Sequence, residues 1–398
     1  MRTRAAQLTV TVVVAAAALL ACTQSAAPVS AQPPRAWAPV EQPDPADADT
    51  AYVAARLAEM SVRELAASVI MTRVPSTDPA TAREAIAASG IGGVILMGGD
   101  TKGSVQTSAA LAGALAADPG LPPLTAVDQE GGIVARLPDG GPSAAALAGM
   151  PPAAAEAAFA ERARLVAAGG FTVNFGVVAD VTADARSFLA PRVFGGDPSS
   201  VAERVAAAVA GERDVVLSTL KHFPGHGAAP GDSHALIPTA GMGLDEWRAG
   251  HAPPFEAGIA AGAELVMMGH LRFPAVDPAP ATLAPEWYRV LREELGFDGV
   301  AVTDDLWMLT ASGEPAYEDP YADGVAALAA GADLLLYVGP IDTAALVDRI
   351  DRAVIVDGTI PLMRLEEAAR RVLELRRSVA TSDAPYVRCT GACLDALS

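Results

Sequence analysis

Residues 215–234 read Val-Val-Leu-Ser-Thr-Leu-Lys-His-Phe-Pro-Gly-His-Gly-Ala-Ala-Pro-Gly-Asp-Ser-His. The stretch opens with a mostly apolar run, Val215–Leu220, which is typical of a strand buried on both faces of a sheet. Lys221 and His222 follow that run directly, and a loop rich in glycine and proline continues to His234. Buried strands that lead into reactive side chains are typical of the C-terminal edge of a parallel sheet. This stretch therefore predicts a parallel sheet whose buried strands lead into reactive side chains.

The same order, a short apolar run followed by a helical pattern, recurs along the chain. We predict strands at Ser68–Met71, Gly92–Met97, Leu124–Val127, Thr172–Val178, Val215–Leu220, Glu264–Met268, Gly299–Val302 and Asp333–Val338. We predict helices at Pro152–Ala168, Ser199–Gly211, Pro285–Leu295 and Ala322–Ala330, with Pro361–Val379 as the closing one. Because about eight strands alternate with helices over roughly 330 residues, we expect an α/β fold, a single TIM-like (β/α)8 barrel.

The positions of polar side chains favour the barrel over a doubly wound open sheet. Asp128, His270 and Asp304 follow predicted strands, as Lys221 and His222 do. In a barrel, such residues meet at the C-terminal face, where the active sites of this fold lie. A doubly wound sheet would instead gather its ligand groups at one switch point.

The composition limits the classes of partner that the protein can bind. The 398-residue chain is 51% hydrophobic, enough to bury a large core, and its formal net charge at pH 7 is −19. No cluster of lysine or arginine exists to neutralise phosphates, which argues against a nucleic-acid partner and fits a small neutral substrate or a sugar. Only Lys102 and Lys221 among the 28 basic residues are lysines. Lysine at position 221 therefore indicates a need for a compact ammonium group.

The N-terminus has the parts of a secretory signal. The first four residues, Met-Arg-Thr-Arg, precede an apolar run from Ala5 to Ala21, and the run ends in Leu-Leu-Ala-Cys at Cys22. That ending resembles the lipobox of bacterial lipoproteins, in which the cysteine becomes the acylated first residue. We expect a lipoprotein signal peptide at residues 1–21 and an extracytoplasmic protein anchored to the cell membrane by lipid on Cys22. An ordinary cleaved signal or an uncleaved anchor is the alternative.

Composition divides the remaining chain into three parts. Residues 22–49 are rich in Ala, Pro, Gln and Asp without apolar periodicity, which predicts a flexible tether. Residues 50–380 are expected to form the catalytic barrel, which leaves too few residues for a second domain. Residues 381–398 form a tail in which Cys389 and Cys393 predict a short-loop disulfide in preference to a metal site.

Four strings carry the candidate chemical groups. They are Val127–Gly132, Pro191–Pro198, Lys221–His234 and Gly296–Leu306. Asp304 and Asp305 are adjacent at the end of a buried strand, where two charges would repel each other, so we expect one to face the pocket and its neighbour to be bound by backbone or basic groups. Cleavage of a glycosidic bond needs a carboxylate beneath the anomeric carbon and a proton donor at the leaving oxygen. Asp304 is suited to the first task.

Taken in this order, the strings resemble glycoside hydrolase family 3, in particular its β-N-acetylglucosaminidase (NagZ-type) branch, from about residue 57 to residue 379. The resemblance implies that Asp304 is the nucleophile of a retaining mechanism with a covalent glycosyl-enzyme. It implies that His234 is the acid/base, with Asp232 as its dyad partner, and that neither a cofactor nor a metal takes part. It implies that sugar hydroxyls are bound by Asp128, Arg136, Arg192, Lys221 and His222.

The dyad also makes physical sense without the family. Protonation of a leaving oxygen near neutral pH requires a group whose pKa lies near the working pH, and an imidazole supplies one. Asp232 stands two residues before His234, so its carboxylate can accept a hydrogen bond from one ring nitrogen and favour the imidazolium form.

Two residues depart from the family pattern. Ile133 stands where relatives often carry arginine, which affects contacts beyond the first sugar subsite, and Val193 stands where serine is common. Of the other histidines, we expect His226 to brace the Pro-Gly turn and His251 to be an ordinary surface residue. Whether His270 lines the pocket stays open at this point.

The sequence therefore predicts a monomeric, lipid-anchored exo-hydrolase that removes terminal β-linked N-acetylglucosamine from peptidoglycan fragments such as muropeptides. One alternative is phosphorolysis at the same site, because a histidine acid/base makes the entrance less negative and phosphate can replace water. A metal hydrolase using His222, His226 and His234 is disfavoured, since Pro224 and Gly225 prevent a helix from placing two imidazoles on one face. A non-catalytic glycan-binding lipoprotein would need neither a nucleophile nor an acid/base.

Overall fold

The structure is a computed structural model that describes residues 48–381. The predicted signal peptide, Cys22, nearly all of the tether and the Cys389–Cys393 pair lie outside the described residues. The first helix, Ala48–Leu57, takes in the last two residues of the segment predicted as a tether. In the described range, no helix is both long enough and apolar enough to cross a membrane.

Eight parallel strands form the centre of the fold. They are β1 (Ile70–Arg73), β2 (Gly93–Ile95), β3 (Leu124–Val127), β4 (Val173–Val178), β5 (Leu217–Phe223), β6 (Leu265–Met268), β7 (Val300–Thr303) and β8 (Leu335–Tyr337). Neighbouring strands pair in the order β7-β6-β5-β4-β3-β2-β1-β8. A parallel bridge from Val302 to Leu334 joins the two ends of this sheet. The TIM-like barrel predicted from the sequence is therefore confirmed.

Strand β5 is longer than predicted. It continues beyond Leu220, so Lys221 and His222 lie inside the strand instead of after it. The backbone stays paired on both sides, with Lys221 opposite Val178 of β4 and Phe223 opposite Met268 of β6. The strand does not end where the apolar run ends, because its polar side chains find buried ionic partners.

Helices follow each strand and form the outer layer. They are Pro79–Ser89, Val105–Leu115, Pro152–Ala168, Pro198–Glu212, Ala252–Ala260, Pro285–Arg289 with its π-helical continuation Val290–Glu294, Pro320–Ala330 and Thr343–Ile355. Shorter helices are Val62–Ser68, Gly98–Thr101, Ala144–Leu147, Leu244–Gly250 and Trp307–Ala311. Three Asp-Pro pairs start helices of the outer layer, because each aspartate accepts an amide hydrogen bond from the first turn: Asp78, Asp197 and Asp319.

The closing helix, Leu362–Ser378, crosses the N-terminal end of the barrel. Arg364 and Arg371 bind Asp333, which lies just before β8, at 2.6 and 3.3 Å. Arg376 donates hydrogen bonds to two backbone carbonyls just before β3. The helix thus links the entry points of distant strands and closes this end of the barrel.

A buried acid lies between the sheet and the outer helices. Glu212, the last residue of its helix, is fully buried and accepts hydrogen bonds from Asn174 of β4 and Ser218 of β5. Burial disfavours the charged form and raises the pKa of Glu212 to about 7, against an ordinary value of 4.5.

We expect Glu212→Gln to flatten the pH dependence of stability between pH 4.5 and about 7. In this range the folded wild type binds a proton that the unfolded chain releases, so the stabilisation is complete below pH 4.5 and is lost as the pH rises. One such proton gives a slope of up to about 1.4 kcal/mol per pH unit. Urea unfolding at a series of pH values measures it. Glu203→Gln, at an exposed position of the same helix, should keep the wild-type slope, and an unchanged slope in Glu212→Gln would contradict the assignment.

Candidate active site

The residues that the sequence singled out lie at the mouth of the barrel, at the C-terminal ends of its strands. β3, β5 and β7 carry or precede four of them, and the loops after β4 and β5 carry most of the others. The eight predicted site residues are Asp128, Arg136, Arg192, Lys221, His222, Asp232, His234 and Asp304.

Three cations and two carboxylates alternate on one side of the mouth. Lys221 Nζ lies 3.2 Å from Asp128 Oδ1 and 2.8 Å from Glu130 Oε1. Arg136 Nη2 lies 3.2 Å from the other Asp128 oxygen. Arg192 binds Glu130 with both arms of its guanidinium, at 2.8 and 2.7 Å. This network holds each side chain in one orientation, so the groups facing the mouth are preorganised for a ligand rich in hydroxyls.

The network favours the charged forms of its two carboxylates and its lysine. Burial opposes ionisation of Asp128 and Glu130, but Lys221 outweighs that effect with help from the arginines, and the pKa of each carboxyl is lowered. Burial also opposes the charge on Lys221, yet the two carboxylates raise the pKa of its ammonium group. Charged acceptors and donors bind sugar hydroxyls more strongly than neutral groups do.

Glu130 belongs to this network although the sequence reasoning did not select it. Asp128 and Glu130 lie on either side of Gln129 in an extended segment, where alternate side chains point the same way. Gln129 points away from them and accepts hydrogen bonds from the amides of Arg136 and Leu137, both at 2.9 Å. Side chains repeat every two residues in an extended segment, and this repeat could have identified Glu130 together with Asp128.

A second residue that the sequence reasoning missed, Asp180, lies just after β4 and is fully buried. Its carboxylate lies 2.7 Å from His222 Nδ1 and accepts the backbone amide of His226. Burial opposes its ionisation, but His222 outweighs burial and lowers the pKa of Asp180 to about 2. An ionised partner requires the proton on Nδ1 of His222, which leaves Nε2 for a ligand. Asp180 lies just after the end of β4, as Asp128 lies just after the end of β3. Its position at a strand end was therefore a signal that could have identified it.

Asp304 and Asp305, the adjacent acids after β7, differ in environment. Burial opposes the ionisation of Asp304, but His222 and His270 outweigh it, and the pKa of Asp304 is lowered. Burial instead raises the pKa of Asp305 to about 6. Asp305 Oδ1 accepts the amides of Trp307 and Val338, at 3.2 and 2.9 Å, so backbone groups hold the second acid as expected. Asp304 is thus an ionised carboxylate, the state that a nucleophile needs.

Asp232 and His234 form a hydrogen-bonded pair on the loop after β5. His234 Nδ1 lies 2.6 Å from Asp232 Oδ1, which also accepts the His234 backbone amide at 3.1 Å. Burial opposes ionisation of Asp232, but the bond from His234 outweighs it and lowers the pKa of the Asp232 carboxyl. The side chain of His234 is 65% exposed. His234 acts electrostatically on Asp305 and His270, so the pair stands on the side of the mouth where β7 ends.

The other three histidines, His226, His251 and His270, are all buried. His226 is buried, as expected for a residue that braces the turn. His251 is also buried, so its expected place at the surface is wrong; its ring lies against the backbone of Gly225 and covers the turn. His270 is buried beside the mouth, with Nε2 2.9 Å from the Asp305 carbonyl oxygen and Nδ1 2.8 Å from Thr282 Oγ1.

The three loop histidines do not converge on a common point. His222, His226 and His234 each bind a different partner, namely Asp180, Ser233 and Asp232. Across residues 48–381, no group of three or more His, Cys, Asp or Glu side chains is arranged to hold a metal ion. The ligand set that a metal hydrolase would use is therefore not formed by these histidines.

A barrel whose mouth carries an ionised carboxylate and an imidazole–carboxylate pair has the parts that cleavage of a glycosidic bond requires. The sequence profile described as "Glycosyl hydrolase family 3 N terminal domain" matches residues 56–375. The chain belongs to glycoside hydrolase family 3 and is a glycoside hydrolase, which confirms the family and the enzyme class predicted from the sequence.

Individual relatives resemble the chain over most of its length. A beta-hexosaminidase of Stenotrophomonas maltophilia (strain K279a) is 37% identical over 283 residues, which cover 64% of this chain and 82% of the relative. The solved structure of M tuberculosis LpqI has a TM-score of 0.74 and 30% identity, and covers 85% of this chain and 98% of its own. A family 3 beta-N-acetylglucosaminidase from Paenibacillus sp. has a TM-score of 0.73 and 31% identity, with 83% of this chain and 65% of its own covered.

Proposed function

We propose that the protein is a retaining exo-β-N-acetylglucosaminidase that removes terminal β-linked N-acetylglucosamine from peptidoglycan fragments. The observation that carries the proposal is the pairing of an ionised carboxylate, Asp304, with a separate Asp232–His234 pair at the same mouth. The names of the Stenotrophomonas and Paenibacillus relatives support the choice of sugar. The proposed setting is extracytoplasmic, with Cys22 as the acylated anchor.

In the first step, a carboxylate oxygen of Asp304 attacks the anomeric carbon while the glycosidic bond breaks. His234, protonated on both ring nitrogens, gives its Nε2 proton to the leaving oxygen, and Asp232 stabilises the imidazolium through Nδ1–H. In the second step, neutral His234 takes a proton from water, which attacks the anomeric carbon and releases Asp304. Two displacements at one carbon give net retention.

The charged network performs the binding. The ammonium group of Lys221 and the guanidinium groups of Arg136 and Arg192 donate to sugar oxygens, and the oxygens of Asp128 accept from hydroxyl groups. These side chains are already held by one another, so little conformational entropy is lost when the sugar binds. Glu130 contributes by fixing Lys221 and Arg192.

Incubation with p-nitrophenyl N-acetyl-β-D-glucosaminide tests this function. We expect release of N-acetylglucosamine as the β-anomer, detected by NMR before mutarotation. Parallel reactions with and without phosphate separate hydrolysis from phosphorolysis, because only phosphorolysis gives the sugar 1-phosphate. The α-anomer as first product would contradict the retaining mechanism, and binding of the glycoside without turnover would favour a glycan-binding protein.

Phosphorolysis is the second candidate, favoured by one specific observation. The proposed acid/base is the Asp232–His234 pair, whose side chains are 48% and 65% exposed, instead of a buried carboxylic acid. A neutral imidazole repels an incoming phosphate less than a carboxylate would. We rank hydrolysis first because the relatives above are named as hexosaminidases and N-acetylglucosaminidases.

A further inference from the structure

The loop that carries the Asp232–His234 pair is connected to the barrel by a buried hydrogen bond. Ser233 lies between the two residues of the pair, and its Oγ is 2.8 Å from His226 Nε2. Ser233 is 3% exposed and His226 is 1% exposed, whereas both members of the pair project into solvent. The chain thus turns one side chain inward between two that face outward.

His226 is held firmly by its surroundings. Its backbone amide donates to Asp180, the carboxylate that also binds His222. The next residue, Gly227, packs so closely on the backbone of Val181 that a Cβ there would lie 2.0 Å from the carbonyl oxygen. His226 therefore belongs to the rigid part of the barrel mouth, and the residues after it depend on that support.

The chemistry of the imidazole sets the direction of the bond. His226 Nδ1 is buried and has no hydrogen-bond partner among the described residues. A buried N–H without an acceptor costs more than an unpaired lone pair, so the proton lies on Nε2 and is donated to Ser233 Oγ. Burial lowers the pKa of His226 to about 4, so the ring stays neutral near pH 7.

Phe188 adds a second contact between the same imidazole and the pair. Its ring meets the His226 ring edge-on with centroids 4.9 Å apart, and meets the His234 ring edge-on at 6.4 Å. His226 thus contacts two residues that adjoin His234: Ser233 through a hydrogen bond and Phe188 through ring packing.

We propose that His226 is a positioning residue that docks the loop through Ser233, and so places His234 where it can protonate the leaving oxygen. This inference rests on the proposed function for its catalytic consequence. A misplaced His234 slows the first step only when the leaving oxygen needs a proton, and it slows the second step, in which His234 takes a proton from water, for every substrate. The value of kcat/KM reports the first step alone, so loss of the bond should lower it for glycosides with poor leaving groups and leave it unchanged for an activated aryl glycoside.

The test compares Ser233→Ala, which removes the hydroxyl, with Ser233→Thr, which keeps it. For Ser233→Ala we expect kcat/KM on the methyl N-acetyl-β-D-glucosaminide to fall roughly 10-fold to 100-fold. On the 2,4-dinitrophenyl glycoside, whose phenolate leaves without protonation, kcat/KM should stay near wild type. Ser233→Thr should match wild type on both substrates. An equal loss of kcat/KM on both substrates, or no loss on either, would overturn the proposal.

Hydrogen–deuterium exchange supplies a readout that does not depend on turnover. Amides of residues 229–236 should exchange faster in Ser233→Ala than in wild type or Ser233→Thr, because the loop loses its buried attachment. Unchanged exchange in Ser233→Ala would overturn the docking role. If wild type cleaves neither glycoside, the proposed function fails, and the exchange comparison still decides whether the bond holds the loop.

Discussion

Asp304→Ala is expected to lower the release of p-nitrophenol from p-nitrophenyl N-acetyl-β-D-glucosaminide by about 10⁴-fold or more. The side chain is the ionised carboxylate of the mouth, and His222 and His270 hold its pKa low. Without it, no group can form the glycosyl-enzyme, and water would have to attack unaided. The activated p-nitrophenolate reduces dependence on the acid, so the assay reports on the nucleophile.

The fold should survive this change, because the Asp304 side chain accepts a single intramolecular hydrogen bond, from the neighbouring amide. Circular dichroism and thermal unfolding check that point. Asp298→Ala, at an exposed position before the same strand, is the matched control and should retain full activity. Full activity in Asp304→Ala would remove the nucleophile assignment, whatever the sugar turns out to be.

The largest expected loss of stability comes from Asp333→Asn. Asp333 lies just before β8, is fully buried, and pairs with Arg292, Arg364 and Arg371. Burial opposes its ionisation, but the three arginines outweigh burial and lower the pKa of the Asp333 carboxyl. Removal of that charge leaves three guanidinium groups around a neutral amide. Loss of a buried ionic partner costs about 3–5 kcal/mol of unfolding free energy.

Urea unfolding at pH 7 measures this loss. Asp348→Asn is the matched control, because Asp348 pairs with Arg63 at the surface, where both side chains are more than half exposed. A surface pair is worth about 0–1 kcal/mol, so the control should unfold near the wild-type midpoint. Equal midpoints for Asp333→Asn and Asp348→Asn would show that the buried cluster does not stabilise the barrel.

The eight strands were predictable because buried parallel strands need continuous apolar runs, and these runs are visible locally. The end of β5 was not, because the side chain that permits Lys221 inside the strand is Asp128, 93 residues away. A pattern of apolar residues cannot show that a lysine will be neutralised by a distant carboxylate. Helix starts were placed one or two residues late because the Asp-Pro caps at Asp197 and Asp319 were not used.

The candidate site was predicted through motifs, and what the motifs omit was missed. Asp180 does not belong to the family strings quoted above, although it orients His222 and supports His226. The burial of His251 depends on how the Pro-Gly turn folds back, and no local pattern of polar and apolar residues encodes that. Residues that support a site through other residues are hard to see in sequence, because their partners are set by the fold.

The closing helix gives the barrel one sealed end and one open end, and the first described helix lies at the sealed one. Asp49, in the first helix, pairs with Arg377 of the closing helix. Ala48, the first described residue, therefore lies at the pole opposite the mouth. The first helix therefore stays away from the approach to Asp304, so a bulky ligand can enter the mouth without meeting it.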